Sequence, residues 1–107
     1  MSNYIDFLHE VLESFGPITT RKIFGGYGIY HQGLIFGLVA DDELYLKVDK
    51  VSIAEFVGAG LPAFEYDKNG KIMKMLYHKA PEEIYDDFKL AVYWANLAYE
   101  AALRQKK

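Results

Sequence analysis

The chain contains no cysteine among its 107 residues. Disulfide bonds, thiolate nucleophiles and cysteine-ligated zinc or iron–sulfur sites are therefore excluded. Also absent is any apolar run approaching the roughly 20 residues that span a bilayer. The first residues lack the basic start and apolar stretch of a signal peptide. These absences predict a cytoplasmic protein that makes no contact with a membrane.

An excess of positive charge is missing as well. Twelve lysines and arginines stand against fifteen acidic residues, which gives a formal net charge of −3. Contacts to phosphates dominate the affinity of nucleic-acid binders, so this balance disfavours non-specific binding of DNA by the domain as a whole.

No arrangement of residues in the sequence is typical of catalysis. His9, His31 and His78 lie in a predicted helix, turn and strand, without the spacing of a metal-binding motif. No serine lies in a Gly-x-Ser-x-Gly context, and the adjacent acid pairs lie where turns or helix starts explain them. We therefore predict no metal site, no cofactor and no enzymatic activity.

The sequence does contain enough apolar residues to form a hydrophobic core. Hydrophobic residues make up 51% of the chain and aromatic residues 16%, a composition typical of a packed globular protein. A chain of this length buries enough surface to fold without disulfides or metals. We expect one ordered domain over residues 1–107, without repeats or linkers.

Three helices are predicted from apolar spacing and end signals. The first runs from Tyr4 to Phe15, with apolar residues at helical intervals, and Gly16-Pro17 ends it. Asp49 is placed to cap a short helix from Lys50 to Val57. The last helix runs from about Phe88 to Gln105, after a helical turn that begins at Pro81.

In the segments between these helices, apolar and polar residues alternate, as they do in β-strands. One strand runs from Thr19 through a glycine-rich stretch to Tyr30, followed by Leu34 to Ala40 and Leu44 to Val48. The hairpin turns between these strands are His31-Gln32-Gly33 and Asp41-Asp42-Glu43. Ala63 to Tyr66 and Ile72 to Tyr77 flank an Asn-Gly hairpin signal. The order helix, three antiparallel strands, helix, two-strand hairpin, helix predicts an α+β fold, with one antiparallel sheet of about five strands backed by helices.

The glycine-rich stretch from Phe24 to Gly28 is the most distinctive segment of the chain. Gly25, Gly26 and Gly28 alternate with aromatic residues, where glycine weakens a strand interior. This pattern favours a structural signature, with a bulge, a bend or a close approach of another backbone. The alternative, a phosphate-binding loop, lacks the following helix and the Gly-Lys-Ser/Thr signature.

Several motifs in fixed order resemble one known family. They are Gly-Pro-Ile-Thr-Thr-Arg-Lys-Ile-Phe-Gly-Gly-Tyr-Gly-Ile-Tyr from Gly16 to Tyr30, Leu-Tyr-Leu-Lys-Val-Asp from Leu44 to Asp49, Phe64-Glu65-Tyr66, Met75-Leu76-Tyr77, Pro81-Glu82-Glu83 and Trp94-Ala95. This order of motifs resembles the N-terminal domain of the TfoX/Sxy family and spans nearly the whole chain. The family's central motif is Met-Phe-Gly-Gly-Tyr-Gly, and in this chain Ile23 stands in place of its methionine, ahead of Phe24.

The resemblance implies a regulatory role. Two-domain members of that family regulate bacterial competence for DNA transformation, act with the cyclic-AMP receptor protein and carry a C-terminal helical domain. This chain stops at Lys107, and we interpret it as a single-domain member. The implied partner is a protein of the transcription machinery or one of its regulators. Whether another protein supplies a second domain, and the oligomeric state, are left open.

Six residues form the candidate interaction surface: Arg21, Lys22, Tyr27, Tyr30, Lys71 and Lys74. Arg21 and Lys22 offer adjacent positive charges, and the tyrosines offer aromatic surface for a protein partner. A second interpretation is a nucleic-acid-binding module that uses the basic hairpin around Lys71 and Lys74 together with Arg21 and Lys22. Lysines at a sheet edge also block aggregation, which is their commoner role. A third interpretation is a small-ligand site beside Tyr27 and Tyr30.

Overall fold

The computed structural model describes residues 3–23 and 25–106, with the backbone alone at Lys68, Met73 and Lys74. Helix α1 (Asn3–Val11) precedes four strands, β1 (Thr19–Ile23), β2 (Gly26–His31), β3 (Leu34–Ala40) and β4 (Glu43–Lys47). Then follow α2 (Ile53–Gly58), β5 (Ala63–Lys68), β6 (Lys71–Lys79), a 3₁₀ helix (Glu82–Tyr85) and α3 (Phe88–Lys106). The predicted α+β class with one antiparallel sheet is confirmed.

The sheet has the strand order β1-β2-β3-β4-β6-β5, and every neighbouring pair is antiparallel. Three tight hairpins have two consecutive turn residues with positive φ, which matches the twist of the flanking strands. These pairs are Gln32-Gly33, Asp41-Asp42 and Asn69-Gly70. The hairpins predicted from the sequence at these positions are confirmed.

The number of strands differs from the expectation of about five. Thr19 to Tyr30 is not one long strand, because β1 and β2 pair as a hairpin in which Ile23 lies opposite Gly26. Gly25 lies in the connecting turn with a φ of +78°, a conformation that glycine adopts at no steric cost. The sheet described by the structure therefore has six strands.

Two helices also differ in length from their predictions. Helix α1 ends at Val11, and irregular turns follow it. Helix α2 begins only at Ile53, because the preceding residues form a turn closed by the Asp49 side chain. One oxygen of that carboxylate, Oδ1, accepts hydrogen bonds from the backbone N–H groups of Val51 and Ser52, each at 3.0 Å. Asp49 therefore caps the turn that precedes α2, and not the first turn of the helix itself.

All three helices pack on one face of the sheet, and the main core lies between them. The fully buried residues of helix α3 are all alanines, which allow the helix to approach the strands closely. Phe56 of α2 is fully buried, and the centroid of its ring lies 4.9 Å from the ring centroid of Trp94. The largest fully buried side chains are Phe36, Phe56, Leu8, Leu12, Ile29, Leu44, Leu46 and Val48.

Candidate functional site

The sheet face turned away from the helices carries a second, smaller apolar cluster. Leu38 and Tyr77 are each only 6% exposed, yet neither belongs to the main core. Successive side chains of a strand point to opposite faces, and their neighbours Val39 and His78 lie on the helix side. We call this surface the open face and define it by Ile23, Tyr30, Ile35, Leu38, Tyr45, Lys47, Phe64, Tyr66, Met75 and Tyr77.

Aromatic contacts connect the open face across β4, β5 and β6. The rings of Tyr45 and Phe64 meet edge to face with centroids 4.9 Å apart, and Phe64 stacks on Tyr66 at 6.5 Å. The ammonium of Lys47 lies 5.0 Å from the ring centroid of Tyr77 and donates a hydrogen bond of 3.3 Å to its hydroxyl. Burial raises the pKa of Tyr77 to about 12, so its hydroxyl is neutral at physiological pH.

A groove of about 230 Å³ opens on this face. Its lining residues come from both ends of the strand order: Ile23, Gly26, Tyr27, Leu38, Val39, Ala40, Phe64, Tyr66 and Met75. In a flat sheet, strands five places apart would be separated by about 24 Å. Because β1 and β5 border one groove, the sheet curls around the open face and gives it a concave, mainly apolar surface.

The glycines of the signature clear space in this curled region. A Cβ atom on Gly26 would lie 2.0 Å from the backbone oxygen of Val39, closer than any real contact. A Cβ atom on Gly28 would lie 3.0 Å from side-chain atoms of Ile23, Ile35 and Tyr30. These glycines therefore permit β2 to approach β3 and the open-face side chains. Phe24, predicted to belong to the same signature, lies outside the described residues.

The predicted surface residues do not form one patch. Arg21 and Lys22 are exposed on β1, which is an edge strand, and the Arg21 guanidinium carbon lies 5.6 Å from the ring centroid of Tyr30. Tyr27 packs partly against the main core and also borders the groove. Lys71 is exposed at the tip of the β5–β6 hairpin. The side chain of Lys74 lies outside the described residues.

Phe64, Tyr66 and Met75 line the groove but were absent from the predicted surface. Phe64 and Tyr66 carry a signal in the sequence, because aromatic residues alternate with acids along β5. Met75 and Tyr77 likewise alternate with their neighbours along β6. The alternation assigns them to one face of the sheet. It does not reveal that the sheet curls and brings them to Ile23.

Polar groups elsewhere are engaged in structural contacts. The Nδ1 atoms of His31 and His78 each lie 2.7 Å from a backbone oxygen, of Pro17 and Leu61 respectively. Within residues 3–23 and 25–106, no cluster of three potential metal-binding side chains occurs. None of the helices described is both long and apolar enough to cross a membrane.

Comparison with known proteins identifies the class to which this domain belongs. The family model described as the TfoX N-terminal domain matches residues 10–102, so the chain belongs to that family. It is 28% identical over 97 residues to Protein Sxy of Escherichia coli K12, covering 91% of this chain and 46% of that protein. It is also 27% identical over 82 residues to DNA transformation protein TfoX1 of Aliivibrio fischeri, covering 77% of this chain and 39% of that protein. The chain thus spans less than half the length of these curated relatives.

Proposed function

We propose that this domain is a non-catalytic regulatory module that acts by binding a protein of the transcription machinery, in a process related to DNA transformation. Membership of the TfoX N-terminal domain family supports the regulatory role. The name of the Aliivibrio fischeri relative supports the link to DNA transformation. The protein partner binds at the open face.

The observation that carries this proposal is the apolar groove on a sheet face that none of the described helices covers. Phe64 and Met75 are only half-buried there, and Tyr66 is 39% exposed. Aromatic residues and methionine are enriched at the centres of protein interfaces, where they give a large apolar contact area. A protein partner that covers the groove would remove this surface from water.

The net charge of the domain favours a protein partner over nucleic acid. Lys71 lies close in sequence to Asp67, whose carboxylate accepts a hydrogen bond from the Gly70 N–H group at 3.1 Å. Glu65 adds a second acid to the same hairpin. Lysines outnumber these acids in the hairpin, but the formal net charge of −3 gives the domain as a whole little attraction to a phosphate backbone.

The proposal is tested by affinity capture of the tagged domain from an extract of its own cells, with and without nuclease, followed by mass spectrometry. We expect to recover a transcription factor or polymerase subunit that survives nuclease. The Phe64→Ser/Met75→Ser variant should not capture this protein, because both substitutions remove apolar side chains that line the groove. Recovery that depends on nuclease-sensitive material would contradict protein binding and support the nucleic-acid interpretation.

A matched control distinguishes binding at the open face from non-specific binding by exposed apolar side chains. Val57→Ser/Leu103→Ser removes two apolar side chains that are 61% and 45% exposed on the helices. This variant should capture the same protein as the native domain. Both double variants should first be shown to melt cooperatively. Equal loss of capture in the two variants would place the binding surface elsewhere than the open face.

A further inference from the structure

Strand β1 is a free edge of the curled sheet. It pairs with β2 on one side, and no other strand of the described chain pairs with it. Alternate backbone N–H and C=O groups along an edge strand point away from the sheet and can pair with another strand. Thr19, Arg21 and Lys22 are exposed along this edge. The backbone of β1 is therefore accessible to an added strand.

The charge of this edge is positive and unneutralised. Arg21 and Lys22 form no ion pair with an acid of the described residues. The guanidinium carbon of Arg21 lies 5.6 Å from the ring centroid of Tyr30. The opposite edge of the sheet differs, since β5 carries Glu65 and Asp67. Opposite charges directly across two strands stabilise their pairing, whereas like charges destabilise it. Strand β1 therefore favours an acidic strand as its neighbour.

The side chains of β1 also point to both faces in a defined order. Ile23 borders the groove, and Arg21 lies over Tyr30 on the same open face. Lys22 lies between them in sequence and so points to the other face. An antiparallel strand added to β1 would place one residue opposite each of Ile23, Lys22 and Arg21, in that order from its N-terminal side.

We propose that β1 binds an extended acidic segment of the protein partner by strand addition. The segment runs antiparallel to β1 and carries an apolar residue followed by two acidic residues. The apolar residue enters the groove beside Ile23, and the acids lie opposite Lys22 and Arg21. Main-chain hydrogen bonds to β1 provide affinity, and the groove and the two cations provide specificity. This inference rests on the proposed function as a protein-binding domain.

A second copy of the chain is a poorer occupant of this edge. Antiparallel pairing of β1 with β1 would bring the cations Arg21 and Lys22 of the two copies together, which destabilises the pairing. Pairing of β1 with the acidic β5 of another copy satisfies the charges. It is a head-to-tail contact, however, and such contacts form open chains unless the rotation closes a ring.

The test begins with a phage-displayed library of short random peptides, selected on the native domain and, in parallel, on Arg21→Glu/Lys22→Glu. The native domain should enrich peptides in which an apolar residue precedes two acids. A synthetic copy of an enriched peptide should bind Arg21→Glu/Lys22→Glu at least about tenfold more weakly, since two cross-strand charge pairs become repulsive. Lys50→Glu/Lys89→Glu makes the same charge change at exposed sites elsewhere and should bind normally.

Amide hydrogen exchange then identifies the mode of binding. The peptide should protect amides of Thr19–Ile23 that exchange freely in the unbound domain. A peptide N-methylated at alternate backbone nitrogens on the side facing β1 should not bind. Enrichment of no peptide, enrichment of peptides without acids, or protection confined to other elements would overturn strand addition. So would a concentration-dependent dimer in which β1 is already protected without peptide.

These outcomes separate the inference from the proposed function. If nuclease-resistant capture is lost in Phe64→Ser/Met75→Ser but unchanged in Arg21→Glu/Lys22→Glu, the open face binds a protein and strand addition is wrong. If neither variant changes the captured proteins, both proposals fail.

Discussion

The two faces of the sheet differ in what covers them. On one face, helices α1, α2 and α3 bury Phe36, Phe56 and their neighbours almost completely. On the other, Leu38 and Tyr77 are buried within the curled sheet, while Phe64, Tyr66 and Met75 stay partly accessible. The same strands supply both faces. One set of strands therefore supports stability on one side and carries an accessible apolar groove on the other.

The sharpest contrast should come from one phenylalanine on each face. Phe56→Ala removes a fully buried ring from the helix-side core, and we expect it to lower the free energy of unfolding by about 3–5 kcal/mol. Phe64→Ala removes a half-buried ring of the open face and should lower it by only about 1 kcal/mol. Urea denaturation of both variants measures the difference. Equal losses would mean that the open face is as tightly packed as the core.

The next largest effect is expected at the glycine that lets β2 approach β3. Gly26→Ala places a methyl group 2.0 Å from the backbone oxygen of Val39, so the strands must separate. We expect a loss of roughly 2–3 kcal/mol in the free energy of unfolding. Gly58→Ala is the matched control, because nothing lies within 4 Å of the added Cβ atom. A Gly26→Ala variant as stable as Gly58→Ala would contradict the close approach.

The smallest effect concerns an ion pair at the end of α3. The Arg104 guanidinium donates to both carboxylate oxygens of Asp49, at 2.6 Å and 3.0 Å. This contact, aided by hydrogen bonds from Ser52, lowers the pKa of Asp49 to about 2. Its contribution is present above the unfolded-state pKa of about 3.9 and is lost as the pH falls towards 2.

Arg104→Gln should therefore reduce the melting temperature by about 2–4 °C at neutral pH, since a partly exposed ion pair contributes little. The difference from the native domain should disappear as the pH approaches 2. A thermal melt at each pH measures it. A difference that persists at low pH would show that Arg104 acts through packing and not through its charge.

Local signals predicted much of the fold. Asn69-Gly70 and Asp41-Asp42 mark tight turns because their residues tolerate positive φ, and the alternation of Leu44 and Leu46 identifies a strand with one buried face. The division of Thr19 to Tyr30 into two strands was missed. Glycine in a strand-like run is compatible with either a bend or a full reversal, and only the pairing of Ile23 with Gly26 decides between them.

The candidate site depends on long-range geometry and was predicted only in part. Arg21, Lys22 and Tyr27 were identified from local chemistry, and the structure places them at or near one end of the groove. Phe64 and Met75 join them because the sheet curls, which no short stretch of sequence encodes. Lys71 belongs to the predicted surface on charge alone, and the structure places it at the exposed tip of the β5–β6 hairpin, outside the lining of the groove.

The open face, with its β1 edge, is the proposed binding surface for the partner, and the helix side maintains the fold. The most direct measurement is a titration of the isotope-labelled domain with the captured protein, followed by amide chemical shifts. We expect the shifts to concentrate on β1, β2, β5 and β6, around Ile23 and Phe64. Shifts concentrated on the exposed surfaces of α1 and α3, with β1 and β5 unchanged, would contradict it.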